Sequence, residues 1–124
     1  MNKANRSSEA ASVNLSELLV RVDNDRALLC ELLSIFKREF PDHLQALRNA
    51  VAGNDADQAA RVSHTLKGML ANLAVAKAAA SAGRLERLAR AGELSSLGGA
   101  LADFEKDVQG LLPEMESYLA EARL

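Results

Sequence analysis

Over residues 29–51 an apolar side chain returns every third or fourth position, at Leu29, Leu32, Leu33, Phe36, Phe40, Leu44, Leu47 and Val51. A helix of 3.6 residues per turn gathers these positions onto one stripe, so the run predicts an amphipathic helix of about six turns. A helix this amphipathic needs a partner to cover its stripe. The same spacing recurs along the chain. Leu15, Leu18, Leu19 and Val22 predict a short helix over about 13–22, and further helices are predicted over about 56–73 and 75–91. A fifth starts near Leu94 and carries Leu97, Leu101, Phe104, Val108, Leu111, Met115 and Tyr118. Pro41 should kink the second helix without breaking it, and Gly110 and Pro113 should bend the fifth. The joints are short: Asp23-Asn24-Asp25, Gly53-Asn54-Asp55 and the residues around Leu73 and Gly92. Long helices joined by such turns return antiparallel. The expectation is an all-α, up-down-up-down four-helix bundle, with the short first helix as a cap.

Composition agrees with one small domain. At 124 residues, 48% hydrophobic and 26% charged, the chain has the balance of a folded globule. Aromatic residues make up 3% and Trp is absent, so the core must be Leu, Ala and Val, which favours helix. Residues 13–124 are read as the domain and the polar residues 1–12 as a disordered lead-in without the apolar run of a signal peptide. No segment has the ~18–20 uninterrupted apolar residues of a membrane span. The formal net charge of −2 gives no reason to expect nucleic acid. Cys30 is alone, which excludes an intramolecular disulfide and fits a small apolar side chain. These features predict a cytoplasmic location.

The third helix holds the feature that points to chemistry. Ala59, Ser63, Leu66, Leu70 and Leu73 share one arc, with Val62 at its edge, and this arc should face the core. His64 then lies roughly 140° from Ala59, on the solvent side, with Lys67 at about 80° and Gly68 at about 180°. A Gly inside a helix costs ~1 kcal/mol relative to Ala, so Gly68 needs a reason. An imidazole that accepts a phosphoryl group supplies one: Gly68 clears space for the phosphate and its donor, and Lys67 compensates the added negative charge. His43 has no Lys or Gly at the same offsets and falls near the apolar arc of its helix, as a structural histidine would.

His64-Thr65-Leu66-Lys67-Gly68 matches an H-x-x-K-G signature, followed by Asn72-Leu73 and then Leu85-Glu86 on the next helix. With Asp25, Phe36, Phe40 and Pro41 upstream, the chain resembles the histidine-containing phosphotransfer (HPt) domain family over about residues 13–122. The resemblance implies that His64 is the phosphoacceptor, through the ring nitrogen farther from the backbone, with Lys67 beside the phosphate. It implies that Glu86 accepts a hydrogen bond from the inner ring nitrogen. Arg90 matches a position where some members place a base near the site. A surface ion pair with Arg84, Arg87 or Arg90 is the alternative for Glu86. Where many relatives have Asn-Leu-Gly, this chain has Asn72-Leu73-Ala74, at a turn where positive φ would favour Gly.

The implied function is that of a phosphorelay intermediate. A receiver-domain aspartyl phosphate would donate to His64, and His64 would donate to another receiver aspartate. Partners would be response-regulator receiver domains and a hybrid sensor histidine kinase, met by a monomer. The domain would carry no cofactor of its own, the Mg²⁺ belonging to the receiver. Two alternatives stay open: a phosphoacceptor domain of a chemotaxis-type kinase, and a helical adaptor that no longer transfers phosphate. Two histidines 21 residues apart without a Cys partner do not make a zinc site. Asp23-Asn24-Asp25 lacks the later ligand and Gly of a calcium loop, Ala27 standing at its fifth position. No Gly-rich loop is present to cradle ATP, so self-phosphorylation is not expected.

Overall fold

A computed structural model describes residues 13–122, and the expected lead-in over 1–12 lies outside the described residues. Six helices and no strands occupy the described residues: α1 (Leu15–Arg21), α2 (Arg26–Ala52), α3 (Ala56–Asn72), α4 (Ala76–Arg90), α5 (Leu94–Val108) and α6 (Leu111–Ala122). The starts of the first three are set by side-chain caps. Asn14, Asp25 and Asp55 accept hydrogen bonds from the backbone N–H groups of Glu17, Leu28 and Gln58, each three residues on. Within the Asp23-Asn24-Asp25 joint, Asp25 is therefore the cap of α2, while Asp23 and Asn24 take positive φ.

The ends of α1 to α4 share one geometry. The residue after each C-cap has positive φ, at Asp23 (59°), Asn54 (55°), Ala74 (59°) and Gly92 (73°). The following N–H then reaches back to a carbonyl five residues earlier, as in Asp55 to Ala50, Val75 to Leu70 and Glu93 to Leu88. This is the Schellman closure, which satisfies carbonyls that the last turn leaves open. Asp55, Val75 and Glu93 also stand at the N-caps of the next helices, so each of these joints takes only three residues. Ala74 holds the left-handed conformation despite its Cβ.

Pro41 does not interrupt α2. It lies on the exposed side of the helix, and its missing N–H costs one intrahelical hydrogen bond. The predicted fifth helix is divided rather than bent. Gln109 turns extended (ψ 131°) and Gly110 takes φ 85°, separating α5 from α6. Pro113 is the third residue of α6, where a missing N–H removes no intrahelical bond.

The helices pack in a ring. The most extensive contact is α3 on α4; α4 packs on α5, α2 on α3, and both α5 and α6 return to α2. The core is aliphatic, with Leu29, Leu33, Leu47, Leu66, Leu70, Leu85 and Phe104 fully buried. Phe36 and Phe40 stack with ring centroids 4.9 Å apart. Arg48 grips both oxygens of Glu105 at 2.8 and 3.0 Å, tying α2 to α5, and Lys37 pairs with Glu116 on α6. α1 is fastened at one end, where Arg21 donates to the Ala71 and Asn72 carbonyls at 3.0 and 3.3 Å. A cation at the C-terminus of α3 satisfies two of its last carbonyls and opposes its dipole. Among the described residues no helix is long and apolar enough to cross a membrane.

Candidate functional site

The wheel of α3 is right in orientation and too narrow. Ala59, Val62, Ser63, Leu66, Leu70 and Leu73 are buried, while His64 and Gly68 are exposed. Ala60, which the wheel puts at about 100° from Ala59, between the apolar arc and His64, is also buried, at 4% exposure. The reason is that α3 packs on two neighbours, α2 and α4, so its covered arc extends to the foot of the histidine.

The imidazole of His64 stands with 63% of its side chain exposed, and its Nδ1 lies 3.1 Å from Oε2 of Glu86 on α4. Arg90 reaches the same oxygen through Nη2 at 2.8 Å and Nε at 3.0 Å, one helical turn beyond Glu86. The Lys67 ammonium lies 2.9 Å from the other oxygen, Oε1. Glu86 is the buried centre of this cluster, its side chain 10% exposed. The ammonium of Lys67, opposing a burial penalty and helped by Arg90 and His64, lowers its carboxyl from an ordinary 4.5 to about 2.

That ionisation dictates the chemistry of the histidine. A carboxylate only accepts hydrogen bonds, so Nδ1 carries the hydrogen and donates it. In the neutral ring the lone pair then sits on Nε2, the nitrogen away from Glu86. Beside it, a Cβ added at Gly68 would meet nothing within 4 Å, so the ground C-terminal to the imidazole is low and open. Farther along α3, Met69, Asn72 and Leu73 join Leu32, Ile35, Phe36 and Glu39 of α2 around a shallow, mostly apolar groove of about 140 Å³.

A family model for the Hpt domain matches residues 31–123, three quarters of the chain. The chain belongs to the Hpt domain family. This family performs histidine phosphotransfer in phosphorelays, and its members are phosphotransfer modules rather than kinases, interacting with receiver domains and kinases. Neither among curated proteins nor among solved structures does any match the Hpt chain significantly.

Of the five site residues singled out in the sequence, four meet between α3 and α4, and Gly68 lies on the exposed side of α3. His64, Lys67 and Arg90 converge on Glu86, and Gly68 flanks them. His43 is half-buried on α2. Cys30 is half-buried, more open than its apolar reading required. Among the described residues no three His, Cys, Asp or Glu side chains gather as a metal ion would require. One participant is not among those five. Gly83 on α4 lies under the Lys67 stem, and a Cβ there would stand 3.3 Å from Lys67 Cδ. Its signal in the sequence is the run Gly83, Glu86, Arg87 and Arg90, which follows the i, i+3, i+4, i+7 spacing of one helix face.

Proposed function

We propose that His64 is the phosphoacceptor of a phosphorelay intermediate, taking a phosphoryl group from the aspartyl phosphate of one receiver domain and giving it to the aspartate of another. The observation that carries this is the Nδ1–Glu86 hydrogen bond on an otherwise exposed ring, which leaves Nε2 as an accessible nucleophile. In the forward step Nε2 attacks phosphorus in line, a P–N bond forms, the acyl-phosphate P–O bond breaks, and the receiver carboxylate leaves. The ring then carries positive charge with Nδ1–H still in place, and Glu86 faces that charge. Lys67 and Arg90 offer cations to the phosphoryl oxygens, and Gly68 keeps the approach clear. The chain contributes a positioned nucleophile, and Mg²⁺ belongs to the receiver.

The same reading takes the four long helices as an up-down-up-down bundle, in accord with the three-residue joints. A monomer in the cytoplasm meets the receiver over the α2–α3 groove beside Gly68, with a hybrid sensor kinase as the upstream source. The test is a three-component relay. A labelled receiver, this chain and a second receiver are combined, and label should pass through the chain to the second receiver. Label that appears on the chain only with a kinase and ATP, and never from a receiver, would instead make it a kinase-fed acceptor.

A further inference from the structure

We propose that Gly83 is a positioning residue of the site: its missing side chain forms the notch in α4 that holds the Lys67 stem flat, so that the ammonium reaches Glu86 beside His64. A Gly in a helix interior lowers stability relative to Ala, and Gly83 is eight residues into α4, in a helix otherwise rich in Ala. It has ordinary helical φ, so no backbone conformation demands it. The demand comes from α3. Apart from the helix backbone, a Cβ at 83 would meet two atoms within 4 Å, Lys67 Cδ at 3.3 Å and Arg87 Nη1 at 3.5 Å. Both belong to flexible side chains, and neither is core or backbone. A Cβ at 83 therefore meets only side chains that can move, those of Lys67 and Arg87.

The Arg87 guanidinium, 3.5 Å from the same point, crowds the space that a side chain at 83 would take. With a side chain at 83 the stem lifts outward, and the ammonium draws away from Oε1 of Glu86, now 2.9 Å distant. Gly68 and Gly83 thus serve opposite ends of one purpose. Gly68 leaves room above the site, and Gly83 leaves room beneath its lysine. The consequence for phosphate rests on the phosphotransfer reading above, whereas the placement of Lys67 does not.

The experiment separates the two. The Glu86 carboxyl is titrated by carbon NMR in the wild type, Gly83→Ala, Gly83→Leu, Lys67→Ala and the Lys67→Ala/Gly83→Leu double variant. Glu86 should titrate well below the ordinary carboxyl range in the wild type, because Lys67 holds it there. It should titrate higher in Gly83→Leu, approaching Lys67→Ala, with a smaller rise in Gly83→Ala. Gly83→Leu should add nothing once Lys67 is gone. Wild-type titration of Glu86 in folded Gly83→Leu overturns the proposal, and so does an equal rise with and without Lys67. If Gly83→Leu does not fold, the absence of any rise in Gly83→Ala overturns it. Phosphohistidine lifetime, measured on the same proteins, should fall several-fold in Gly83→Leu. A wild-type chain that accepts no label from any receiver counts against the phosphotransfer reading and leaves the titration to decide the role of Gly83.

Discussion

A carboxylate fixes an imidazole tautomer only while it stays ionised, and Glu86 is held ionised by its neighbours. Its carboxyl falls from an ordinary 4.5 to about 2, chiefly through the Lys67 ammonium. A depressed folded-state pKa contributes stability that is fully present above the unfolded value and is lost as pH falls through the folded one. The Glu86 contribution should therefore disappear between about pH 4.5 and 2. Urea midpoints measured across that window should fall less steeply in Glu86→Gln than in the wild type, and equal slopes would show that Glu86 is not depressed. Gly68 poses the converse case, a residue whose value lies in what it omits. Because a Cβ there meets nothing, Gly68→Ala should raise stability by about 0.4–1 kcal/mol in urea unfolding. Gly68→Gln should fold and yet slow phosphotransfer from a receiver. Destabilisation by Gly68→Ala would mean that the glycine is packed.

The elements are joined by a repeated device, and its weakest copy can be identified. Three-residue Schellman joints place Asn54, Ala74 and Gly92 in the left-handed region. Asn and Gly are at home there, whereas a Cβ in that conformation costs roughly 1–2 kcal/mol. Part of that cost is offset by the unfolded-state entropy that Ala restricts, so Ala74→Gly should stabilise the fold by about 1 kcal/mol. Chemical denaturation measures it directly, and an unchanged midpoint would show that the joint carries no strain. The apolar spacing makes the helices and these joints legible in the amino-acid sequence. It hides the α5–α6 break because Val108, Leu111 and Met115 stay in register across Gly110, all three buried on the same side. Periodicity reports which residues face the core and is silent on a break that preserves their facing. Gly110 and Pro113 are visible in the sequence, but whether such residues bend or divide a helix depends on what the following segment packs against.

Across the whole molecule, the site is the outer edge of the largest helix contact, α3 on α4. α3 is braced by Arg21 from α1, and the chain entering α1 is tied to α6 through the Val13 N–H and the Glu114 carboxylate. His64, Lys67 and Gly68 are legible in the sequence because they share one helix and one signature. The three-way engagement of Glu86 is less so, since pairing across helices depends on the rotation of α4, which sequence spacing leaves open. Gly83 shares a helix face with Glu86 and Arg90 in the sequence, but its neighbour Lys67 is on another helix, which spacing does not show. What ties these scales together is the proposal that His64 alone takes the phosphoryl group. The most direct measurement is to incubate the wild type, His64→Gln and His43→Gln with a phosphorylated receiver and to determine the pH stability of the label. The account predicts an acid-labile, base-stable label on the wild type and His43→Gln, and none on His64→Gln. Label retained by a folded His64→Gln protein would contradict it.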